Sequence, residues 1–306
     1  MSLRLFDGHC DTAFELWRRG ESLRHNSCHI DLQRTDDFSV YAQVFAFCSL
    51  AGEAENCGQM LRQPLALLRE EFAKNTGRIG IARSAREVSA LTDSGKIAAL
   101  LSMEGAECIA CDLHRLPDLS EQGFSSLTLT WNAENLLAGC HGSEQGLTPA
   151  GREFVCLSQE LGLHIDVSHL GEAAFWDLLR MTKAPIYASH SNCAALCPNT
   201  RNLTDLQLRA IAETGGTVGL NFYTPFVGGT ADFSALRAHL EHMLRLCGEN
   251  GIALGGDLDG CTDLVGGITS VADYPSFYEY LKQGGFSEAL LEKLFFANLL
   301  RLFGKE

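Results

Sequence analysis

Short apolar runs alternate with longer amphipathic stretches along this chain, and eight such runs can be counted. Each run is rich in Val, Ile and Leu, which is typical of a buried strand in a parallel sheet, and the stretches between them are typical of helices. This βαβα alternation predicts an α/β fold, and eight parallel strands are the number that closes a barrel. The predicted strands are Leu5–Asp11, Gln43–Ser49, Ala98–Met103, Ser126–Trp131, Leu163–Ser168, Ile186–Ser189, Thr217–Asn221 and Ile252–Gly256.

Helix signals support the same architecture. Thr148 followed by Pro149 is an N-cap with a first-turn proline, and Gly162 is a glycine stop, so one helix is predicted between them. A (β/α)8 TIM barrel takes about 250 residues, so the chain is predicted to be one such domain over residues 1–306, with insertions at Ala51–Gly58 and Gly139–Gly146. Further helices are predicted at Leu61–Lys74, Ala173–Arg180, Asp205–Glu213, Phe233–Gly248 and Ser287–Phe303.

Charge and hydropathy exclude several classes of partner. The formal net charge is −14, with 38 acidic and 24 basic residues and no Lys/Arg run, so nucleic acid is not an expected partner. No window approaches the ~20 consecutive apolar residues of a membrane span, and the start MSLRLFDGH has no apolar signal core. The chain is therefore predicted to be soluble and cytoplasmic, with its twelve scattered cysteines as free thiols rather than a disulfide framework.

Imidazoles and carboxylates recur where the predicted strands end. Because the carboxyl ends of barrel strands meet at one mouth, these side chains are expected to converge there. His9 and Asp11 stand two residues apart on one strand, so both point to the same side and can hold one metal ion. The converging residues are His9, Asp11, Glu104, His169, His190 and Asp257.

Three histidines and several carboxylates exceed what one four-coordinate ion needs, which indicates a two-metal site with Glu104 as the bridge. Zn²⁺, Mn²⁺ or a similar ion suits these donors, and two such ions can share a hydroxide that is nucleophilic at neutral pH. The roles of two nearby residues, Asp166 and Cys10, are left open. Asp166 is either a carboxylate that orients an imidazole or a buried partner for backbone amides, and Cys10 is either a buried apolar residue or a thiol ligand.

Two further patterns are interpreted as structural. His239 and His242 lie three apart in ALRAHLEHML and are predicted to be a surface pair on a half-solvated helix. The glycines of GIALGGDLDG match neither GxxxxGK[ST] nor GxGxxG, so they are predicted to form the turn after the last strand rather than a phosphate loop.

With these residues identified, the chain resembles the renal (membrane) dipeptidase family, the M19 metallopeptidases, within the amidohydrolase-type barrels. The resemblance covers nearly the whole chain and follows one order of motifs. They are DGHCD, SMEG, LTLTWN, HIDVSHL, ASHSN with NTRN, GGDLDG and the C-terminal FANLLRLFG.

The resemblance implies a metal-dependent hydrolase with two divalent ions, most readily Zn²⁺. It places His9 and Asp11 on one ion and His169 and His190 on the other. Glu104 would bridge the two and hold the catalytic hydroxide with them. Asp257 would carry a proton from the attacking hydroxide to the leaving amine. For the substrate, the resemblance implies that Arg201 binds the free carboxylate of a dipeptide and that Tyr223 lines the pocket.

One family position differs. Where animal members have a histidine after LTLT that is thought to steady the tetrahedral oxyanion, this chain has Trp131. Either the metal carries the oxyanion alone or another donor replaces the histidine. His141 in GCHGSEQ is the hypothesis for that donor, with the Trp131 indole N–H and Asn132 as alternatives.

The predicted function is therefore a metallo-dipeptidase that cleaves small L-L or L-D dipeptides. Another binuclear amide hydrolase, such as an N-acyl amino acid deacylase or a β-lactam or lactone hydrolase, is the nearest alternative, and an organophosphate-type esterase would not need Arg201. A non-catalytic metal-binding barrel is a further alternative, against which Asp257 argues. No membrane partner is expected, and a homodimer stays open.

Overall fold

The structure is a computed structural model that describes residues 3–48 and 57–304. Its strands pair in parallel, and seven of them follow one another in the spatial order β6, β5, β4, β2, β1, β8, β7, with β3 added beside β4. The strands are β1 Arg4–Cys10, β2 Val40–Cys48, β3 Ile79–Ile81, β4 Ile97–Glu104, β5 Phe124–Thr128, β6 His164–Asp166, β7 Val218–Leu220 and β8 Ile252–Leu254.

The predicted sixth strand, 186–189, is an irregular segment that connects the two ends of this order. Single parallel bridges join Tyr187 to Asp166 of β6 and Ala188 to Val218 of β7. On one side the N–H of Val167 donates to the Tyr187 carbonyl at 2.8 Å, and on the other the N–H of Gly219 donates to the Ala188 carbonyl at 2.8 Å. The sheet thus curls into a barrel, and the predicted α/β (β/α)8 TIM fold is confirmed.

Two glycines explain how segment 186–189 fits between its neighbours. A Cβ on Gly219 would lie 1.9 Å from the Ser189 carbonyl oxygen, and a Cβ on Gly255 would lie 1.7 Å from it. Only glycine allows the backbones to approach this closely. The approach seats Ser189, and with it His190, at the inner mouth of the barrel.

Helices pack around the strands, and the buried apolar side chains form a large cluster and a smaller one that includes Phe6, Tyr187 and Phe303. Thr148 caps α5 as predicted, since its hydroxyl accepts from the N–H of Gly151 at 3.0 Å. The helices are α1 Thr12–Arg19, α2 Cys57–Lys74, α3 Ala85–Asp93, α4 Leu116–Glu121, α5 Pro149–Glu160, α6 Glu172–Met181, α7 Asp205–Glu213, α8 Thr224–Val227, α9 Phe233–Cys247, α10 Tyr274–Gln283, α11 Glu288–Glu292 and α12 Asn298–Leu302.

Some elements differ from the predictions. The C-terminal helix predicted as one piece contains a π-helical turn, Lys293–Ala297, between α11 and α12. Strand β3 and five helices, namely α1, α3, α4, α8 and α10, were not predicted. Ser49, at the end of a predicted strand, and nearly all of the predicted insertion Ala51–Gly58 lie outside the described residues.

Two buried aspartates, Asp7 and Asp166, accept hydrogen bonds from backbone groups of neighbouring strand ends. Asp7 accepts from the N–H of His9 at 2.9 Å, from the N–H of Gly256 at 3.0 Å and from the Tyr274 hydroxyl at 2.5 Å. Asp166 Oδ1 accepts from the N–H groups of Ser168 and Ser189 at 2.9 and 3.0 Å. Asp166 is therefore a partner for backbone amides, which confirms the second of its two predicted roles.

The predicted surface pair on α9 is wrong for His239. Its side chain is buried, its Nδ1 accepts from the N–H of Cys193 at 3.1 Å, and its Nε2 lies 2.9 Å from the Val227 carbonyl. This face of α9 packs against the loops that follow segment 186–189 and β7, so His239 satisfies their backbone groups. His242 is half-buried and contacts Asp205 at 2.7 Å. Within the described residues, every helix is too short or too polar to cross a membrane.

Candidate active site

Six ionisable side chains converge at the carboxyl ends of the barrel strands, and all six are buried. His9 is the second-last residue of β1, Asp11 follows that strand directly, and β4 ends at Glu104. The other three follow β6, segment 186–189 and β8. The set predicted from the sequence is thus brought together, namely His9, Asp11, Glu104, His169, His190 and Asp257.

Glu104 lies between two groups of donor atoms. On one side, His9 Nε2 is 3.6 Å from Glu104 Oε1 and 3.3 Å from Asp11 Oδ2. On the other side, His169 Nε2 is 2.9 Å and His190 Nε2 is 3.5 Å from the same Glu104 oxygen, and the two imidazole nitrogens are 3.1 Å apart. Each group offers three donors that lie within 4.8 Å of one another, and Glu104 belongs to both.

The donor set fits divalent cations. His9 Nε2 and Asp11 Oδ1 are buried and have no hydrogen-bond partner among the described residues, which is costly unless another ligand satisfies them. Imidazole nitrogen and carboxylate oxygen are the usual donors for Zn²⁺ and similar ions. A third group, formed by His9, His190 and Asp257, is also within ligand spacing, so Asp257 borders both cation positions.

The protonation states follow from crowding of buried charges. Burial raises the pKa of Glu104 to about 8, and the negative charges of Asp11 and Asp257 add to this effect. Burial lowers the pKa of His9, but Glu104, Asp11 and Asp257 outweigh it and bring that pKa to about 10. Burial lowers the pKa of His169 and His190, so both are neutral imidazoles at pH 7. Neutral imidazole is the form that binds a metal ion.

Asp257 has a strained backbone and lies beside the two groups of donor atoms. Its backbone is left-handed, with φ +58°, which is unusual for a non-glycine residue. Asn221 Nδ2 donates to Oδ2 at 3.0 Å, which leaves Oδ1 facing His9 Nε2 at 4.0 Å. Burial raises the pKa of Asp257, and the charge of Asp11 raises it further. A carboxyl group with a raised pKa suits proton transfer near neutral pH.

Two residues that hold Asp257 in place were missed in the sequence. Asn221 ends a predicted strand, and a polar amide at a strand end was the available signal. Gly260 packs against both carboxylates, because a Cβ there would lie 2.3 Å from Asp11 Oδ2 and 2.3 Å from Asp257 Oδ1. The glycine was assigned only to a turn, since nothing in the local sequence shows that two side chains from different strands meet it.

A cavity of about 440 Å³ opens above the two groups of donor atoms. Arg201 is buried in its wall, and no lysine or second arginine is among its described lining residues. Arg201 Nη2 donates to His190 Nε2 at 2.8 Å. That nitrogen has one lone pair, so this hydrogen bond and coordination of a cation exclude each other. Trp131, Asn132 and Tyr223 also line the cavity, as predicted substrate-binding residues would.

His141 is placed differently from the other predicted substrate-binding residues. It is not among the residues that line the cavity. Its Nε2 lies 3.2 Å from Asn132 Oδ1 and its Nδ1 lies 2.9 Å from Thr200 Oγ1. Both ring nitrogens therefore have partners within the protein, and the hypothesis that His141 donates to an oxyanion stays a prediction.

Comparisons with known proteins agree on one family. The sequence model of the membrane dipeptidase family, peptidase family M19, matches residues 1–306. The chain is similar to the crystal structure of a dipeptidase, a metallopeptidase of family M19, with 31% identity and a TM-score of 0.93 over 99% of this chain and 98% of that chain. It is also similar to a metallopeptidase from Rhodobacter sphaeroides liganded with a phosphinate mimic of the dipeptide L-Ala-D-Ala, with 29% identity and a TM-score of 0.93 over 99% of each chain.

A curated protein is also similar to this chain by sequence. An uncharacterized protein from the pqqA 5' region of Klebsiella pneumoniae is 35% identical over an alignment of 257 residues, and the alignment covers 79% of this chain and 94% of that protein.

Proposed function

The chain belongs to the membrane dipeptidase family, peptidase family M19, and is a metallo-dipeptidase; we propose that it hydrolyses small L-L or L-D dipeptides with a free C-terminal carboxylate, using two divalent cations, Zn²⁺ first among them. One observation carries the proposal. Two three-donor groups share Glu104 at the floor of a cavity whose wall holds a buried arginine. The catalytic domain spans residues 1–306 in this proposal.

The proposed cation ligands follow the two groups. His9, Asp11 and Glu104 would hold one ion, and Glu104, His169 and His190 the other. When bound, two such ions polarise a scissile carbonyl and lower the pKa of water, so that a nucleophile is present at neutral pH. The protein would hold these donor atoms in fixed positions, because the mouth of a barrel brings together side chains from several strand ends.

Asp257 is the proposed proton carrier. Its Oδ2 is held by Asn221, so Oδ1 is the oxygen that exchanges a proton at the cation groups. The raised pKa of Asp257 allows it to accept a proton from the attacking water and then give it to the departing amine.

Arg201 is the proposed recognition group for the substrate carboxylate. It lies at the cavity wall beside His190, and its guanidinium carbon is 5.4 Å from the centre of the Phe226 ring. The fixed fork of guanidinium donors suits a carboxylate. The phosphinate mimic of L-Ala-D-Ala bound by the similar Rhodobacter sphaeroides structure supports a dipeptide with a D-residue at its C-terminus. The cavity volume of about 440 Å³ is within the usual range for small-molecule sites.

The first test joins metal analysis with hydrolysis of L-Ala-D-Ala, several L-L dipeptides and a decapeptide. We expect about two metal ions per chain, dipeptide cleavage that stops on chelation and returns with Zn²⁺, and little cleavage of the decapeptide. Two ions without dipeptide cleavage would redirect the proposal to N-acyl amino acids and lactams. A decapeptide cleaved as fast as a dipeptide would contradict the dipeptide specificity, and a failure to bind metal after Zn²⁺ addition would contradict the mechanism.

Replacing Arg201 by Met tests the carboxylate contact. We expect the KM for a dipeptide to rise about 10- to 150-fold, because a charge-assisted hydrogen bond contributes about 1.5–3 kcal/mol. The matched measurement uses the same dipeptide with a C-terminal amide, which lacks the negative charge. The variant should cleave this amide nearly as well as the wild type does. An equal loss on both substrates would show that Arg201 acts on something other than the carboxylate.

A further inference from the structure

Asn132 Oδ1 lies between two imidazoles at the rim of the cavity. His169 Nδ1 is 2.9 Å from this oxygen, and His141 Nε2 is 3.2 Å from it. A carboxamide oxygen can only accept hydrogen bonds and has two lone pairs, so it accepts one N–H from each ring. This oxygen is therefore shared by a proposed cation ligand and by a histidine outside the cavity.

The hydrogen bonds fix how each ring carries its proton. His169 donates through Nδ1, which leaves the lone pair of Nε2 directed at Glu104, 2.9 Å away. His141 donates through Nε2, and its Nδ1 accepts from the Thr200 hydroxyl at 2.9 Å.

The loop that contains His141 also hydrogen-bonds to the backbone of His169. That residue has φ +70°, a left-handed conformation that is unusual for histidine. Its carbonyl accepts from the N–H of His141 at 2.7 Å and from the Thr130 hydroxyl at 3.2 Å. His141 therefore fixes His169 twice, through its backbone N–H and, by way of Asn132, through its ring.

We propose that Asn132 and His141 are positioning residues for the cation bound by His169 and His190, with Asn132 fixing the His169 ring and His141 holding Asn132. The proposal rests on the proposed function, because it needs a cation at this group. It assigns both residues a role before substrate arrives. An oxyanion donor at either position would act only during the reaction, so cation affinity separates the two roles.

The test is cation affinity without substrate, measured by competition with a chromogenic chelator. Asn132 is exposed, so Asn132→Ala is expected to fold and to keep the melting temperature of the metal-free protein. We expect one of the two ions to bind about 10- to 100-fold more weakly, as is usual when the hydrogen-bond partner of a ligating histidine is removed. The ion at His9 and Asp11 should be unaffected, and Asn132→Asp, which keeps the acceptor oxygen, should restore the affinity.

His141→Ala should weaken the same ion, and the double variant should be no worse than Asn132→Ala alone, since His141 acts on the ring through Asn132. Asn75→Ala is the control, because the Asn75 side chain lies away from the donor groups and donates to the Glu71 carbonyl near the end of α2, at 2.8 Å. If Asn132→Ala binds both ions as tightly as the wild type, the positioning role is refuted while the proposed function stands. If the wild type binds no cation, the proposed function fails and the positioning role with it.

Discussion

Asp257→Asn is expected to lower kcat about 10²–10⁴-fold while both cations stay bound, because loss of a positioned proton carrier costs about that much. The substitution keeps the shape of the side chain and removes its ability to take and give a proton. Since Asp257 is proposed to act on the proton and not on the substrate carboxylate, KM should stay within a few-fold. The measurement is steady-state hydrolysis of a dipeptide beside metal analysis of the same preparation.

Asp259→Asn is the matched control for this prediction. Asp259 also lines the cavity and also has a left-handed backbone, with φ +66°. Its oxygens, however, accept from the Thr12 hydroxyl at 2.6 Å and from the N–H of His29 at 2.7 Å, so they are engaged in holding the loop. We expect this variant to lose stability and to keep kcat within about tenfold, well short of a lost proton carrier. Equal losses in the two variants would mean that Asp257 serves the loop rather than the proton.

The convergence of donor residues at one mouth could be predicted because two regularities coincide. Strand alternation predicts His9 and Asp11 on one side of a strand, and a parallel barrel brings all strand ends together. In the structure β1 ends at Cys10 and Asp11 is the N-cap of α1, yet the two side chains still lie side by side. Neither regularity depends on loop geometry, so a sequence is enough to infer it. The ligand and catalytic roles of these residues remain predictions, which the variants described above test.

The supports of the site could not be predicted in the same way. Gly260, Asn221 and Asn132 act through contacts across different strands, and the distances that define these contacts arise only when the barrel has closed. His239 is a further position whose surroundings are defined only by packing in the folded protein. Helical spacing gave it a surface position, whereas packing of α9 against two loops buries it and uses both of its nitrogens. Segment 186–189 was predicted as a strand, whereas the structure pairs it through single bridges at Tyr187 and Ala188.

Glu104→Gln is expected to abolish tight binding of both cations and to lower kcat/KM by at least about 10³-fold. Glu104 is the one residue common to the two three-donor groups centred on His9 and on His169. Without its charge each group keeps two strong donors, which is fewer than a zinc site normally has. The stabilisation that metal ions give a transition state amounts to several kcal/mol, which corresponds to the expected loss of rate.

The comparison with Asp11→Asn makes this prediction specific to a shared ligand. Asp11 belongs to one group, so its replacement should weaken one ion and leave the other in place. Elemental analysis after dialysis gives the number of ions, and the rise in melting temperature on adding Zn²⁺ reports binding independently of activity. We expect two ions in the wild type, one in Asp11→Asn and none in Glu104→Gln. If Glu104→Gln retains two tightly bound ions, the two groups are independent sites, and the arrangement in which Glu104 lies between the cations is wrong.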